Sequence, residues 1–578
     1  MLGPLFGGAV TAAAGGLTML LLRSAVQLRT LPERLLEWLL LYVPLDLFEK
    51  GLQQFGFDAK RYALYATALG LLAAVTALAT AVLIRRWTNL QILALGAGLW
   101  LAIMLFILPL TGAGVFATGL IDGTWPAVLG YFAVCLVFAA ALIVVRVMLA
   151  LSSPETYISR PRPGRRAVVV ALGSALVALV STYVLEVAPP WASVTPLRIR
   201  DPQEPVPSGG FAPPPPDPDP VNPVASDAPV AGPAPATAYA DADTTPVFAD
   251  PRPARPLKRD KDGAVLPSGR RKGELTDLIT SNDDFYVITK NAGGDPILDA
   301  RTWRLRIDGL VEQSIELDYP SLRALPPVDV TKTLECISNF VAKCDLAPYG
   351  CDLISTARWR GVRLVDLLKL AGGAQAEATY LAVVSADEYT SALPIELALD
   401  PDVLLVYEMN GEVLPREHGY PARLLVPGRY GMKNPKWVVA LRPMRGEFVD
   451  WYGQRNWSKE GRVQTMTRID VPTPGATLLP GDYNIAGVAY AGDHGLGKVE
   501  YSTDDGRSWQ QAELLEAPAG SDSWVRWIGQ FTLRPGTQMT LVSRATDSSG
   551  VVQVKDFSLP QPDGSAGWHA VEVRAAQV

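Results

Sequence analysis

The sequence predicts a multi-domain protein with an N-terminal α-helical transmembrane domain, a proline-rich linker, an α+β domain and a C-terminal immunoglobulin-like β-sandwich. Three observations predict it. Long apolar runs fill residues 1–190 and then stop. A stretch rich in Pro, Ala and Asp follows, too polar and too interrupted to bury a core. Beyond it, mixed strand and helix patterns give way near residue 463 to short alternating runs with Asp-Gly and Ser-Gly turns. At 578 residues the chain is long enough for several cores.

The first domain, residues 1–190, reads as membrane. A spanning helix needs about 20 mostly apolar residues. Residues 5–22, 62–84, 90–110, 127–151 and 167–187 qualify, which predicts about five spans. Residues 35–48 are apolar but short. Pro44 and Asp46 interrupt them and Glu49 follows, which predicts an interfacial or re-entrant helix. A buried soluble helical domain would alternate polar and apolar faces, and these segments barely do.

Basic loops set the orientation. Arg85 and Arg86 follow the second span, and Arg160, Arg162, Arg165 and Arg166 precede the fifth. The loop of residues 111–126 has no Lys or Arg. This predicts a multi-pass cell-membrane protein whose chain beyond residue 187 is extracytoplasmic. The first loop runs against the rule, because it carries Arg23, Arg29, Arg34, Lys50, Lys60 and Arg61, although with compensating acids. Arg165-Arg166 before an apolar run also resembles a twin-arginine export signal. Ordinary loop charge accounts for the pair equally well.

Residues 196–267 form the linker, which is expected to be extended. Residues 275–462 form the α+β domain. "WRLRIDGLV" reads as a strand ending at an Asp-Gly turn, and "LVDLLKLAGG" as a helix stopped by glycine. "TYLAVVSA" and "DVLLVYEMNGEVL" read as strands, the second bent at Asn410-Gly411. Residues 463–578 form the β-sandwich, from "YNIAGVAYAG", "GKVEYSTDDGRSWQQAEL", "SWVRWIGQFTL" and "MTLVSRATDSSG".

The net charge of −6, with no basic patch interleaved with aromatics, predicts no nucleic-acid partner. Only His418, His494 and His569 are present, and there is no C-x-x-C-H, which argues against a histidine-rich metal site or covalent haem. Cys336, Cys344 and Cys351 crowd into one segment, while Cys135 lies in the fourth span as a small helix- or lipid-facing residue. For Cys336 several chemistries stay open on the residues alone. A zinc site lacks the tight cysteine pairs such sites use. A nucleophile lacks a histidine close in sequence. A thiolate ligand to a soft metal and a plain structural cysteine complete the set. Cys344 and Cys351, close to Pro348 and Gly350, are expected to form a disulfide in an oxidising compartment, with two free buried thiols as the alternative.

"CISN", followed by "LISTARWRGVRLVDLLKLAGG", resembles the molybdenum-cofactor domain of the sulfite oxidase family. "MNGEVLPREHGYPARLLVPGRYGMKNPKW" is similar to that family's cofactor-holding stretch. "IAGVAYAGDHGLGKVEYSTDDGRSW" resembles its immunoglobulin-like domain, which implies a possible homodimer. The resemblance covers residues 284–573 and implies a molybdopterin-binding, sulfite-oxidase-like domain. It implies Cys336 as the thiolate ligand of molybdenum. His418 and Arg423 match the H-x4-R pattern that contacts molybdopterin, and Asn434, Pro435 and Lys436 match a second cofactor-binding tripeptide. Asp387 falls near the family's pterin-binding aspartate. The segment from Tyr286 to Asn291 falls where another cofactor contact is expected, with divergent residues. Tyr452 falls about where the family has an active-site tyrosine, with Arg455 nearby. Taken singly, a Lys beside a Trp is usually a surface residue and a lone His usually solvated. In order behind Cys336, they point to the cofactor.

The departures bear on substrate. Sulfite-oxidising members have an arginine soon after the Asn of the cysteine motif and another in the early segment. Here Asn339 is followed by Phe340 and Val341, and "FYVITKN" offers only Lys290. The expected function is therefore two-electron oxygen-atom transfer on a small oxyanion or sulfur compound by a membrane-anchored molybdenum oxidoreductase. Electrons would be exchanged with a separate carrier, such as a cytochrome or quinone-linked protein. The alternative is a non-catalytic membrane assembly or sensor protein that keeps the fold without the metal.

Overall fold

Apolar runs with almost no polar face leave a helix only other helices or lipid to pack against. The computed structural model forms them as α1 (Leu2–Val26), α3 (Ala59–Ile84), α4 (Asn89–Ala102) and α5 (Thr124–Leu151). It describes residues 2–40, 42–43, 55, 59–118, 120, 124–151, 273–345, 350–518 and 522–577. A π-helical turn at Ile103–Ile107 continues α4 as far as Leu110. Among the described residues, four helical segments are long and apolar enough to cross a membrane: Gly3–Val26, Ala59–Ile84, Asn89–Leu110 and Thr124–Ala150. The predicted fifth span, the Arg160–Arg166 cluster and the linker lie outside the described residues.

The short helix α2 (Leu31–Leu39) differs in kind. Thr30 and Glu33 form a reciprocal capping box at its start. Arg34 and Glu37 then stand one turn apart. The interfacial helix expected over 35–48 is thus a helix that begins and ends earlier, and most of residues 41–58 lie outside the described set. The bundle has two distinct ends. A side chain on Gly7, near the start of α1, would collide with Val145 of α5 and Leu83 of α3, so the start of α1 shares one end with the finish of α3 and α5. The other end carries α2 and faces the β-rich part of the chain.

That part begins with two sheets. One runs β2 (Ile315–Asp318), β1 (Arg304–Ile307), β10 (Val438–Met444), β5 (Tyr380–Ser385) and β6 (Thr390–Pro394). The other runs β3 (Val328–Glu335), β4 (Ile354–Arg363), β7 (Leu404–Met409) and β8 (Glu412–Val413), with β9 (Arg423–Leu425) also paired to β7. Trp303, Leu305, Leu405, Leu424 and Leu441 share a buried cluster with Leu367 and Leu368 of α6 (Leu364–Leu370). Each such side chain contributes about 1.5–3 kcal/mol by leaving water. The turn between β7 and β8 has positive φ at both Asn410 and Gly411, the geometry an Asn-Gly hairpin favours.

Two further sheets follow. One runs β11 (Met466–Val471), β13 (Gly481–Tyr490), β17 (Val525–Leu533) and β16 (Glu513–Leu514). The other runs β12 (Ala476–Leu478), β19 (His569–Ala575), β18 (Gln538–Asp547), β14 (Leu496–Ser502) and β15 (Gln510–Gln511). Ile469, Val499, Trp527, Leu541 and Val573 form their common core. Arg468, 1 % exposed, locks these sheets to the preceding ones by donating to Cys351 O at 2.6 Å while paired with Asp470.

Candidate functional site

β3 runs out of its sheet at Glu335, and the turn beyond it is held from both sides. The Cys336 N–H donates to Leu353 O at 2.8 Å, and the Asn339 N–H donates to Cys336 O at 2.9 Å. The Asn339 side chain donates to Glu335 Oε1 and accepts from the Leu353 N–H. This accounts for Cys336 and Asn339 as one unit, because the amide fixes the backbone that presents the thiol.

Cys336 lines a cleft of about 760 Å³, including its mouth. Tyr286, Asp387, His418 and Arg423 line it too, as do Asn434, Pro435, Lys436 and Tyr452. Asn291 does not. It stands behind the wall, where its Nδ2 donates to Asp387 Oδ2 at 3.0 Å, so the divergent segment supports the aspartate instead of facing the cavity. Asn434 is also indirect. Its side chain accepts from the Val426 N–H and donates to the carbonyls of Arg429 and Tyr430, which leaves only its backbone at the cleft.

The charged residues are buried with unusual partners. Arg423 donates to His418 O at 3.1 Å and to Asn434 O at 3.0 Å, and its Nε finds no partner among the described residues. Its guanidinium lies 5.4 Å from the centre of the Trp359 ring. Burial pulls its pKa down to about 10, and no carboxylate among the described residues compensates. Lys436 donates to Ile288 O and Glu417 O, and burial lowers its pKa as well. His418 donates from Nε2 to Asn282 O at 3.1 Å, so its Nδ1 carries the lone pair. Burial, with the Arg423 and Lys436 charges nearby, holds it neutral, with a pKa of about 3. The Tyr452 phenol is raised by burial and stays protonated.

These groups fit an anionic, metal-bearing cofactor. Arg423, a buried cation that among the described residues hydrogen-bonds only to carbonyls, calls for an anion. Burial pushes the Cys336 thiol up to about 11, so a strong local positive charge is needed to make it a thiolate. A bound metal provides that.

Motif reasoning missed several neighbours. Tyr389 and Met432 also line the cleft, and the Tyr389 hydroxyl donates to Met432 O. Tyr389 sits in "DEYTSALP" with no pattern to mark it. The helical segment reaches the rim as well. Lys60 Nζ donates to Thr289 O at 3.2 Å, and Glu37 lies 3.8 Å from Lys290 Nζ. Cys344 and Cys351 are joined as a disulfide, while Cys336 and Cys135 are free. His569 Nε2 lies 3.1 Å from Cys344 Sγ.

Two family descriptions match this part of the chain. Residues 292–452 match the oxidoreductase molybdopterin binding domain, and residues 462–575 match the Mo-co oxidoreductase dimerisation domain. A sulfite oxidase of Gallus gallus is 32% identical over 314 residues, covering 48% of this chain and 68% of that protein. A sulfite oxidase of Arabidopsis thaliana is 28% identical over 356 residues, covering 53% of this chain and 90% of that protein. Among solved structures, the sulfane dehydrogenase SoxCD from Paracoccus pantotrophus aligns over 52% of this chain and 82% of that chain. Its identity is 26% and its TM-score 0.46.

Proposed function

Since the chain belongs to the sulfite oxidase family of molybdenum-cofactor oxidoreductases, we propose that it is a membrane-anchored member acting on a small oxyanion or sulfur compound. It is a molybdopterin-dependent oxidoreductase, and its cofactor is molybdenum with molybdopterin. When bound, that group supplies two-electron oxygen-atom transfer. The chain's residues bind and orient it. Cys336 gives the metal a soft anionic donor. Arg423 and Lys436 would hold the cofactor's anionic groups, and neutral His418 would offer Nδ1 as an acceptor. Asp387, held by Asn291, would accept from ring N–H donors of the cofactor. Asn434 and Pro435 shape the wall, and Tyr452, which lines the cleft with its phenol protonated, would offer a proton donor there.

The observation that carries this reading is that Cys336 and the carboxylate-free guanidinium of Arg423 share one cleft. Molybdenum content of the purified protein tests it, followed by turnover of sulfite and organic sulfur compounds with an artificial electron carrier. Protein without the metal would point instead to an assembly or sensor role.

The proposed organisation is a membrane domain at 1–190, a linker at 196–267, the catalytic domain at 275–462 and an immunoglobulin-like domain at 463–578, the last serving a homodimer. An extracytoplasmic catalytic domain is supported by Arg85 and Arg86, which follow α3 at the bundle end away from the cleft. The chain leaves α5 at that same end and has to return, and the apolar run 167–187 is long enough for the crossing. Protease added to intact spheroplasts should release a fragment carrying the catalytic domain. Protection until lysis would reverse the orientation. Electrons would pass to a separate carrier such as a cytochrome or quinone-linked protein.

A further inference from the structure

A disulfide closes the loop that presents Cys336. The chain leaves Cys336 toward Cys344 and returns from Cys351 to Leu353. Three bonds tie the two arms: the Cys336 N–H to Leu353 O, the Leu353 N–H to the Asn339 side chain, and the Phe340 N–H to Gly350 O at 3.3 Å. Cys344–Cys351 joins the arms beyond those bonds. Cys351 is buried and Cys344 half-buried, so Cys344 is the sulfur within reach of a partner.

His569, the first residue of β19, comes to this bond from the β-sandwich. Its Nδ1 accepts from the Ile469 N–H at 2.9 Å, so that nitrogen holds the lone pair and Nε2 carries the proton. The Nε2–H faces Cys344 Sγ at 3.1 Å. A disulfide sulfur is a weak acceptor, whereas a thiolate is charged and a strong one. The buried imidazole is therefore matched to the state in which the bond is open. With its proton on Nε2, the ring offers no lone pair on that side to a metal ion, which separates this trio from a Cys-Cys-His metal site.

We propose that Cys344, Cys351 and His569 form a second redox site, a disulfide opened by a protein dithiol, and that opening it loosens the turn that presents Cys336. A thiolate of the dithiol attacks Cys344 Sγ, forms a mixed disulfide and expels Cys351, which takes a proton. The second thiol of the dithiol then attacks its own sulfur in the mixed bond and expels Cys344 as a thiolate facing the Nε2–H. Two electrons and two protons pass to the pair, and the dithiol leaves as a disulfide. The site goes beyond the oxygen-atom-transfer reading and does not depend on it.

The full-length protein is equilibrated with reduced and oxidised dithiothreitol at about pH 8.5, the ordinary cysteine pKa, and its thiols are counted by alkylation and mass spectrometry. Wild type should open Cys344–Cys351 without unfolding. His569→Phe should need a reduced-to-oxidised ratio about fivefold higher, from the loss of one hydrogen bond to a thiolate. His569→Gln, whose amide still donates, should stay within about twofold of wild type. A pair that opens only in denaturant overturns the proposal, as do equal ratios for wild type and His569→Phe. Should His569→Phe fail to fold, a thioredoxin lacking its resolving cysteine decides the question on wild type. A mixed disulfide trapped on Cys344 supports the site, and none, or one on Cys351, overturns it. After reduction, residues 336–341 should exchange their amide hydrogens faster, and unchanged protection overturns the proposal too.

Discussion

Arg34 of α2 and Glu388, just beyond β5, form an ion pair of 2.7 Å that joins the helical bundle to the wall of the molybdopterin cleft. Arg34 is 2 % exposed, and its Nε also donates to the Tyr131 hydroxyl of α5 at 2.9 Å. One guanidinium therefore ties a long apolar helix to the turn that carries Asp387. Removing Arg34 leaves Glu388 with only the more distant Arg29, 3.9 Å away, at a cost of about 1–3 kcal/mol. Arg34→Met should lower the thermal midpoint and speed hydrogen exchange over residues 31–39 and 385–390. Arg34→Met with Glu388→Leu should recover most of the loss. A single variant as stable and as protected as wild type would mean that the pair does not hold the interface.

Cys336→Ser should lose activity and molybdenum while the protein stays folded. A hydroxyl nearly conserves volume but is a poor soft-metal donor. The backbone bonds from Leu353 and Asn339 do not involve the sulfur, so the turn should persist. Thermal unfolding, metal analysis and turnover on one preparation check this. Wild-type turnover in the serine variant would remove Cys336 from the ligand set.

The pH dependence follows from His418. Burial, joined by Arg423 and Lys436, holds it down to about 3 in the fold, against its hydrogen bond to Asn282 O. Once unfolded it titrates near 6.5. Between those values the unfolded chain binds the extra proton, so stability falls as pH drops through the window and is unaffected above it. Each unit is worth about 1.4 kcal/mol, so acidification from 6.5 to 4.5 should cost roughly 2–3 kcal/mol from this residue. His418→Gln should show a shallower loss between pH 7 and 4.5, and parallel curves for the two proteins would exclude His418 as the cause.

Much of the cleft was legible because its residues occur as short ordered motifs. "CISN", the H-x4-R pair and the Asn-Pro-Lys tripeptide each pack several constraints into a few positions. The Asn410-Gly411 bend was legible for a similar reason, since its turn needs positive φ at both residues. What stayed hidden depends on distance in the chain. Arg29, Arg34 and Lys60 read as loop charges that contradict the orientation rule. They instead meet Glu37, Glu388 and Thr289, and the Arg34–Glu388 bond spans 354 positions. No local pattern encodes such a pair. Asn291 was hidden differently: its residue type suits a cofactor contact, but only the fold turns it toward Asp387.

Lys433 and Asp450 make a second long-range device, and it bears on how the cleft keeps its cofactor. Both are 2 % exposed, with Nζ 2.5 Å from Oδ2. Asp450 also accepts from the N–H groups of Ala392 at 3.1 Å and Gly453 at 2.8 Å, and Lys433 donates to Ala392 O. The carboxylate thus pins β6, the loop after Met432 and the loop that carries Tyr452 to one point. Met432 and Tyr452 face the cavity, so loosening this point should widen it. Asp450→Asn would strand a buried ammonium and should cost about 3 kcal/mol or more. Asp450→Leu with Lys433→Met should be milder, because no unpaired charge remains. Molybdenum retained per protein after prolonged dialysis should fall in the order wild type, double variant, Asp450→Asn. An Asp450→Asn protein with a wild-type thermal midpoint and full metal content would show that the pair neither stabilises the fold nor guards the site.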